Sequence, residues 1–382
     1  MIARKPFSVK LRSVAEVTAD FPQPQAWNRQ TMSADLLVVA AGFEARVLAF
    51  PEALARAGQE PIPNILVGRY QTNPEDNEHR FTLLEPLLER LGSYIQNVDA
   101  DTPELVLSAV LKLSRSQQIK RVVFDISGAS SNFIFSVVGA LAHVLPNVDL
   151  TVLYAEAGTY NQAFKDEDAS DSPLEWPEQG VSSVWTNALF AGHHQDSAKS
   201  HIVAFPSLHL SRMARCLNFC GEAVETLAER NVVWVMPRTT HPEHQWRRER
   251  TVSVARKLLA PLGERPDGVE GLREECCIDC DVQSPSQAAA IVLDQAEKHP
   301  GRNLFVVHMG SKMQAIGVAM SMAARREMSL VYARPDKFNP KNYSGGVGAL
   351  HVLEFPSFGD TIKALSGAGQ MVVIRADGSE DV

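Results

Sequence analysis

Residues 153–161 read LYAEAGTYN and residues 331–339 read VYARPDKFN, so an apolar residue, tyrosine, alanine, a second aromatic residue and asparagine recur in one order. Each copy follows an apolar run that ends in a small-residue loop, VVFDISG at residues 122–128 and FVVHMGS at residues 305–311. A repeat with a period near half of the chain indicates duplication of a whole domain, because the units of a solenoid are far shorter.

Within each copy, short apolar runs alternate with helical segments. The runs lie at residues 35–41, 64–67, 94–95, 121–126 and 150–155, and again at residues 201–205, 232–235, 276–280, 303–308 and 329–333. A threonine or serine before a proline, at Thr102-Pro103 and Ser284-Pro285, marks a helix start in both copies. Strands that alternate with helices form a parallel sheet covered on both faces. The sequence therefore predicts an α/β fold with two Rossmann-like parallel-sheet domains arranged as an intramolecular pseudo-dimer.

The repeat also sets the expected boundaries. We expect a leader at residues 1–32, a first Rossmann-like domain at residues 33–197 and a second at residues 198–382. An acidic segment at residues 165–179 has no apolar periodicity and is predicted to be an exposed loop. If the copies pack as a pseudo-symmetric pair, the seam between them is the natural place for a ligand.

Composition excludes several classes of protein. The 382 residues are 45% hydrophobic and carry a net charge of −8, which argues against bulk attachment to duplex nucleic acid or to an anionic membrane surface. No apolar run is long enough to span a bilayer, and the first residues do not read as a secretory signal. The five cysteines, an odd number clustered in the second half, do not read as a disulfide framework, which fits a reducing compartment. We therefore expect a cytoplasmic protein with no membrane partner.

The loops after the fourth strands are the strongest candidate ligand site. Ligands of open parallel sheets bind beyond the carboxyl ends of the strands. In the second copy Gly310 permits a tight turn, Ser311 offers a hydroxyl and Lys312 a cation, which suits a phosphate. The alternative is an ordinary strand-to-helix turn with a solvated lysine. The first copy has hydroxyl and amide groups but no lysine at Ser127, Gly128, Ser130 and Asn132.

These two loops resemble those of CARF domains, the CRISPR-associated Rossmann-fold sensors, in which a glycine, a serine or threonine and often a lysine and a methionine follow the fourth strand. The resemblance implies a dimer that holds a cyclic oligonucleotide across its two-fold axis, and in some members cleaves it. It makes ligand contacts of Gly310, Ser311 and Lys312, and of Ser127, Gly128 and Ser130. The usual doubled glycine and threonine are missing, and no effector domain follows, so an effector protein would have to be a partner.

The loops after the first strands contribute a second group of candidates. Gly42, Glu44 and Arg46 follow the first strand of the first copy, and Ser207, His209 and Arg212 follow that of the second. Arg46 and Arg212 are candidate phosphate ligands because a guanidinium matches phosphate geometry. The alternative is that Glu44 is a helix-start charge and that Arg46 lies on a solvated face.

Two further pairs occupy matched positions. Arg69 and Arg238 follow the second strands and are candidates for contact with a ribose or phosphate. Glu156 and Arg334 follow the fifth strands with opposite charges and could pair across the pseudo-axis, which would be a structural contact.

No cofactor or metal is predicted. Cys276, Cys277 and Cys280 could join Cys216 and Cys220 in a zinc site, but Cys277 and Cys280 fall on opposite faces of a predicted strand. Buried core thiols are the favoured interpretation. The chain has no dinucleotide glycine fingerprint and no nucleophile elbow.

The function that these patterns favour is binding of a nucleotide second messenger, cyclic or linear, at the seam, in a bacterial defence or stress system. One alternative is a phosphodiesterase that cleaves the messenger, with Lys312 and Ser311 as catalytic candidates. Another is a non-catalytic scaffold subunit. A concave, basic seam would favour the first two, and a seam filled by large apolar side chains would favour the scaffold.

Overall fold

The computed structural model describes residues 7–28, 31–160, 178–206, 208, 210–221, 231–259, 272, 274–340, 343–375 and 380–381. The predicted acidic loop lies outside the described residues except for Glu178 and Gln179. Ser207, His209 and the first six residues of the predicted leader lie outside them as well.

The strands are numbered in chain order. They are β1 (Phe7–Leu11), β2 (Gln25–Ala26), β3 (Leu36–Ala41), β4 (Asn64–Arg69), β5 (Ile95–Asp99), β6 (Arg121–Asp125), β7 (Asp149–Ala155), β8 (Thr159–Tyr160), β9 (Glu178–Gln179), β10 (Ser183–Thr186), β11 (Ser200–Phe205), β12 (Val232–Arg238), β13 (Cys277–Asp281), β14 (Asn303–His308), β15 (Ser329–Arg334), β16 (Lys337–Phe338), β17 (Ser344–Gly345), β18 (Leu350–Phe355), β19 (Met371–Arg375) and β20 (Glu380–Asp381).

Two large sheets carry the fold, and they have the same strand order. The first sheet runs β2-β18-β7-β6-β3-β4-β5 and the second runs β10-β15-β14-β11-β12-β13. Five consecutive strands are parallel in each, and an antiparallel strand pairs with the fifth. All six residues of β3 are buried, as expected for a strand covered on both faces. The prediction of two Rossmann-like halves in tandem is confirmed.

Each sheet takes its antiparallel strand from the other half of the chain. β10, at residues 183–186, pairs with β15 of the second sheet, and β18, at residues 350–355, pairs with β7 of the first. The apolar runs that follow Gly180 and Gly346 therefore cross the seam. The boundary at residues 197 and 198 stays a prediction, but a division there would separate both sheets from a strand.

Strand register defines which residues are equivalent. Tyr154 pairs with His351 in the first sheet and Tyr332 pairs with Trp185 in the second. Asp125 lies opposite Leu153, and Val307 lies opposite Val331. Since these partners precede the two tyrosines, Asp125 and Val307 are equivalent, and three residues later so are Gly128 and Gly310. The first loop is one residue longer, because its helix has Ser130 as N-cap whereas the second has Ser311.

Helices cover both sheets. The α-helices span Val14–Thr18, Ala49–Arg56, Pro74–Leu91, Pro103–Ser116, Ser131–Val144, Leu210–Phe219, Trp246–Leu259, Pro285–Lys298, Lys312–Ala324 and Phe358–Ser366. The third begins at Pro74, because Asn73 turns the chain in the left-handed region and Pro74 opens the helix. After β3 the chain forms a 3-10 turn, Ala45–Leu48, which leads directly into the α-helix Ala49–Arg56.

Two equivalent helices form the seam. Ser131–Val144, the first seam helix, packs against Lys312–Ala324, the second seam helix. Residues 132–141 of the first and 313–322 of the second are all buried. A helix buried on every side belongs to a protein core, and one hydrophobic cluster indeed extends through both halves.

The predicted leader contributes to the core. Val17 and Phe21 are buried in the cluster shared by both halves, and β2 extends the edge of the first sheet. The apolar residues 372–374 belong to β19, which pairs with β1 rather than with the second sheet. Among the described residues, no helix is long and apolar enough to cross a membrane.

Candidate functional site

The strand-end loops of the two halves meet at the seam and enclose two adjoining cavities. The small cavity, about 120 Å³, is lined by the loops that follow β3 to β6, including residues 42–44, Tyr70, Asp101 and residues 128–131. The second half closes it with groups that include Arg212, Tyr332 and Arg334.

The large cavity, about 410 Å³, is the counterpart of the small one in the second half. Its wall includes loops that follow β11 to β14, among them Leu208, Gln283 and residues 309–312, and the helix start at Trp246 and Arg247. Arg46, Tyr154 and Glu156 of the first half close it. Each half therefore supplies an arginine and a tyrosine to the cavity of the other.

Lys312 lies where the two cavities adjoin. Met309, Gly310 and Lys312 line both, as do Glu178 and Tyr343. The Lys312 side chain is 15% exposed, and its Nζ lies 3.6 Å from Oε2 of Glu44. Burial lowers the pKa of Lys312 to about 8, and Arg46 adds to that effect whereas Glu44 opposes it. Near neutral pH this side chain presents a positive charge to both cavities.

Arg46 is held by a buried carboxylate. Its Nη2 donates to both oxygens of Glu44, at 2.7 and 2.9 Å, and its Nη1 donates to the carbonyl of Ala155 at 3.3 Å. Burial by itself would raise the pKa of Glu44, but the charges of Arg46 and Lys312 and the hydrogen bond from Ser344 outweigh it and lower the pKa to about 2. Arg46 thus lies in a buried ion pair and not on the solvated face given as the alternative.

Arg212 repeats the arrangement in the second half. Its Nε donates to the carbonyl of Ala333 at 3.1 Å, and its Nη1 lies 2.5 Å from a carboxylate oxygen of Glu178. The guanidinium carbon lies 5.6 Å from the centre of the Tyr332 ring, close to the 5.8 Å between Arg46 and Tyr154. Both arginines reach the cavities, one in each, but both already have carboxylate partners.

Some residues of the loop from Ser127 to Asn132 line the small cavity, and others form hydrogen bonds that hold the loop. The Ser127 hydroxyl accepts from the Ala155 amide at 2.9 Å, and Asn132 accepts from Asn187 at 2.9 Å. Neither Ser127 nor Asn132 is exposed, and neither lines a cavity, unlike Gly128 and Ser130. Ser127 and Asn132 therefore hold the loop in place.

Ser311 caps the second seam helix. Its hydroxyl accepts from the Gln314 amide at 3.1 Å and donates to the carbonyl of Val282. The serine lines the large cavity, but its hydroxyl proton is engaged with the chain. This placement weighs against Ser311 as a catalytic group.

Two of the predicted arginines lie outside both cavities. Arg69 pairs with Glu78 at 2.5 Å, and its guanidinium stacks 3.7 Å from the centre of the Phe81 ring. Arg238 is exposed at the end of β12. The two positions follow their strands as expected, but neither residue lines the small or the large cavity.

The prediction that Glu156 and Arg334 pair with each other is wrong. Glu156 lies 3.2 Å from Nε2 of His351 and accepts a hydrogen bond from Gln283. Arg334 donates to Ser182 at 3.2 Å and stacks over Trp185. The exchanged strands β18 and β10 supply His351 and Trp185. Glu156 and Arg334 therefore each find a partner on the adjacent antiparallel strand.

Several cavity residues were not among the predicted site residues. Tyr70, Asp101 and Gln283 each follow a strand, so the rule that drew attention to Arg69 also covers them. Tyr343 had no such signal, because it lies on the segment near β17 and reaches the cavities only through the fold. Its ring packs 5.6 Å from Phe43 and 5.8 Å from Phe338.

The cysteines contribute to packing. Cys216, Cys220 and Cys280 are buried, and burial raises the pKa of Cys216 and of Cys280 to about 12. Among the described residues, no group of three or more histidine, cysteine, aspartate and glutamate side chains could hold a metal ion.

No family model and no curated protein matches the chain. It is similar to the cytoplasmic domain of a prokaryotic cation chloride cotransporter, with 10% identity, a TM-score of 0.24 and coverage of 79% of this chain and 95% of that one. It is also similar to a universal stress protein from Archaeoglobus fulgidus DSM 4304, with 12% identity, a TM-score of 0.20 and coverage of 81% and 98%. TM-scores this low carry no argument about relationship or ligand. What stands of the resemblance to CARF domains is the coarser feature, two Rossmann-like halves in tandem.

Proposed function

We propose that the protein binds a small phosphorylated ligand, a nucleotide, at the seam. The observation that carries this proposal is the place of Lys312, whose partly exposed ammonium lies at the wall of both cavities and at the start of a buried helix. Amide groups at a helix start and a lysine side chain together favour an anion.

The volumes of the two cavities indicate which part of the ligand each of them can hold. Ligand pockets have volumes of about 300–1,000 Å³, and the large cavity, about 410 Å³, falls in this range whereas the small cavity, about 120 Å³, does not. The phosphate is proposed to lie beside Lys312 and most of the nucleoside in the large cavity, with one of its hydroxyl or amino groups directed to the small cavity. The small cavity has room for a group of a few atoms.

The charges around the seam support an anionic ligand. Arg46 and Arg212 are each balanced by a buried glutamate, Glu44 and Glu178. Lys312 is only 3.6 Å from Glu44, but that carboxylate already accepts from Arg46 and Ser344. A phosphate beside Lys312 would give this lysine a second negative partner, one that Arg46 and Ser344 do not share.

A scaffold without a ligand fits the seam less well. Open cavities lined by charged and aromatic side chains lie where a scaffold would have packed apolar residues. A messenger with several nucleotides, a partner effector and a role in bacterial defence are the finer hypothesis that the loop resemblance suggests.

Cleavage of the ligand is the second candidate. The lowered pKa of Lys312 favours it, since shifted pKa values near a cavity are typical of catalytic groups. The engaged hydroxyl of Ser311 disfavours it. Binding without turnover is therefore the function we favour.

The test combines one variant with one matched control. Lys312→Ala should weaken nucleotide binding about ten-fold or more, since a charge-assisted hydrogen bond to phosphate contributes about 1.5–3 kcal/mol. Lys298→Ala is the control, because Lys298 is exposed and pairs with Asp294 away from both cavities. Calorimetry with AMP, cyclic AMP and linear and cyclic dinucleotides gives the affinities. Equal affinity in the Lys312 variant and wild type, or no binding of any probe by wild type, would refute the proposal.

A further inference from the structure

We propose that Asp101 and Gln283 are equivalent specificity-determining residues, each of which accepts a hydrogen bond from a hydroxyl or amino group of the bound molecule. The inference rests on the proposed function and deepens it, because it adds the ligand groups that the two cavity walls select. It concerns residues on opposite sides of Lys312.

The two residues occupy the same position in the repeat. In the strand register of the first sheet Asp99 lies opposite Arg69, and in that of the second sheet Asp281 lies opposite Arg238. The amide of Asp101 donates to Oδ1 of Asp99 at 2.9 Å, and the amide of Gln283 donates to Oδ1 of Asp281 at 2.8 Å. A helix N-cap follows each, Thr102 and Ser284. The turns are held by the preceding aspartates, so the side chains of Asp101 and Gln283 are not needed to form them.

Each side chain holds an acceptor oxygen with no partner. Oδ2 of Asp101 and Oε1 of Gln283 are enclosed and accept no hydrogen bond from any described residue. Asp101 lines the small cavity and Gln283 the large one. A buried acceptor without a donor costs free energy. An acceptor oxygen without a donor therefore occurs at equivalent positions of the two cavities. This indicates that the bound ligand supplies the donor.

The orientation of Gln283 follows from its neighbour. Its Nε2 donates to a carboxylate oxygen of Glu156. Burial by itself would raise the pKa of Glu156, but the neighbouring His351 imidazole outweighs it and the pKa is lowered, so this carboxylate accepts and does not donate. The amide nitrogen therefore faces Glu156, which leaves Oε1 as the acceptor.

The surroundings select a neutral donor rather than a cation. Lys312, Arg212 and Arg334 line the same cavity as Asp101, and Lys312 and Arg247 line that of Gln283. The carboxylates that also line these cavities already have partners, so a metal ion or an ammonium group would meet the repulsion of the cations; they are Glu44, Glu156, Glu178 and Glu243. Hydroxyl and amino groups carry no charge, and a nucleotide carries them in the same molecule as its phosphate. The terminal torsions of Asp and Gln are soft, so a small rotation can turn the enclosed oxygen toward the donor.

The titration of Asp101 is consistent with this role. Burial raises the pKa of Asp101 to about 6, with a further rise from Asp99 and an opposing effect of Arg334. Tyr70 and Tyr332 are the other ionisable groups that interact with it. The carboxylate is therefore charged at neutral pH.

The experiment measures binding and apo stability of full-length variants. The probes are AMP, its 2′-deoxy and 3′-deoxy forms, IMP and inorganic phosphate, and the variants are Asp101→Asn and Gln283→Met. Each variant should bind AMP about ten-fold more weakly and inorganic phosphate as well as wild type does. At least one variant should also lose the preference of wild type for AMP over one analogue. Loss against a deoxy form identifies a hydroxyl as the donor, and loss against IMP identifies the amino group.

Stability separates this role from a structural one. Without ligand, Asp101→Asn should melt at the same or a higher temperature, because it removes a buried charge that lacks a hydrogen-bond donor; a lower melting temperature with unchanged selectivity would overturn the inference. Equal loss of phosphate and AMP affinity would overturn it too. If Lys312→Ala weakens binding and neither Asp101→Asn nor Gln283→Met does, only this inference fails. If Lys312→Ala has no effect, or no probe binds wild type, the proposed function fails and this inference with it.

Discussion

Lys312 and Glu44 form an ion pair across the seam, with Nζ of the lysine 3.6 Å from Oε2 of the glutamate. The two residues come from equivalent halves of the chain but not from equivalent positions, since Glu44 follows the first strand of its sheet and Lys312 the fourth. The pair joins the halves and places a positive charge beside both cavities. It therefore connects the stability of the protein with the proposed ligand site.

Glu44→Gln should destabilise the protein by about 3–5 kcal/mol, because it leaves Arg46 and Lys312 as buried charges without their carboxylate. Urea unfolding measures the change. Glu52→Gln is the matched control, since Glu52 forms an exposed pair with Arg56 that should contribute about 0.5 kcal/mol or less. A similar small loss in both variants would contradict the burial of the Glu44 pair.

The free energy of unfolding should rise with pH through the titration of Lys312. Its pKa is lowered from 10.5 to about 8 in the folded protein, so between these values the unfolded chain binds more protons than the folded one. Stability that depends on this group therefore increases from pH 8 to pH 10.5. Urea unfolding across this range should show that the stability of wild type rises relative to that of Lys312→Met, which keeps all other titrating groups. Parallel curves would mean that the folded lysine titrates normally.

Nucleotide affinity should fall below pH 6 through Asp101. Its pKa is raised to about 6, and only the ionised carboxylate is a strong acceptor for a ligand donor. Phosphate groups titrate in the same range, so the informative quantity is the ratio of the AMP affinities of wild type and Asp101→Asn. That ratio should shrink toward one between pH 7 and pH 5. A constant ratio would exclude contact with the carboxylate.

Gly317→Ala should destabilise the protein by more than about 2 kcal/mol. A Cβ at Gly317 would overlap the carbonyl oxygen of Pro285, where the second seam helix packs on Pro285–Lys298. Gly301→Ala is the comparison, because no atom lies within 4 Å of its added Cβ and only its positive φ, 76°, adds about 1 kcal/mol of strain. Thermal unfolding of both variants shows which substitution lowers the stability more. A milder effect at Gly317 would show that the two helices can move apart.

Fragments 1–197 and 198–382 should not fold separately. Each would lack the antiparallel strand that completes its sheet, β18 for the first and β10 for the second. Co-expression should restore a complex with cooperative unfolding, because both exchanged strands are then present. Cooperative unfolding of either fragment alone would show that strand exchange is not needed for stability.

The duplication, the order of the five parallel strands in each half and the loops that reach the seam can all be inferred from the amino-acid sequence. These features follow from apolar runs, small-residue loops and helix caps such as Ser311, which depend on residues near one another in the chain. Gly310, Lys312, Gly128 and Ser130 could be placed at the cavities because the carboxyl ends of parallel strands share one edge.

Tertiary structure alone decided the partners of the charged groups. Arg212 meets Glu178 and Lys312 meets Glu44, while Glu156 meets His351 of the exchanged strand β18 instead of Arg334. Matched positions in a repeat predict equivalent places in the fold, but an ion pair also needs two side chains to meet at hydrogen-bonding distance. That meeting depends on which strand completes each sheet, and β10 and β18 are far in sequence from the strands that they join. The unpaired oxygens of Asp101 and Gln283 became visible for the same reason, because only the packed cavities show which acceptors the chain leaves without a donor.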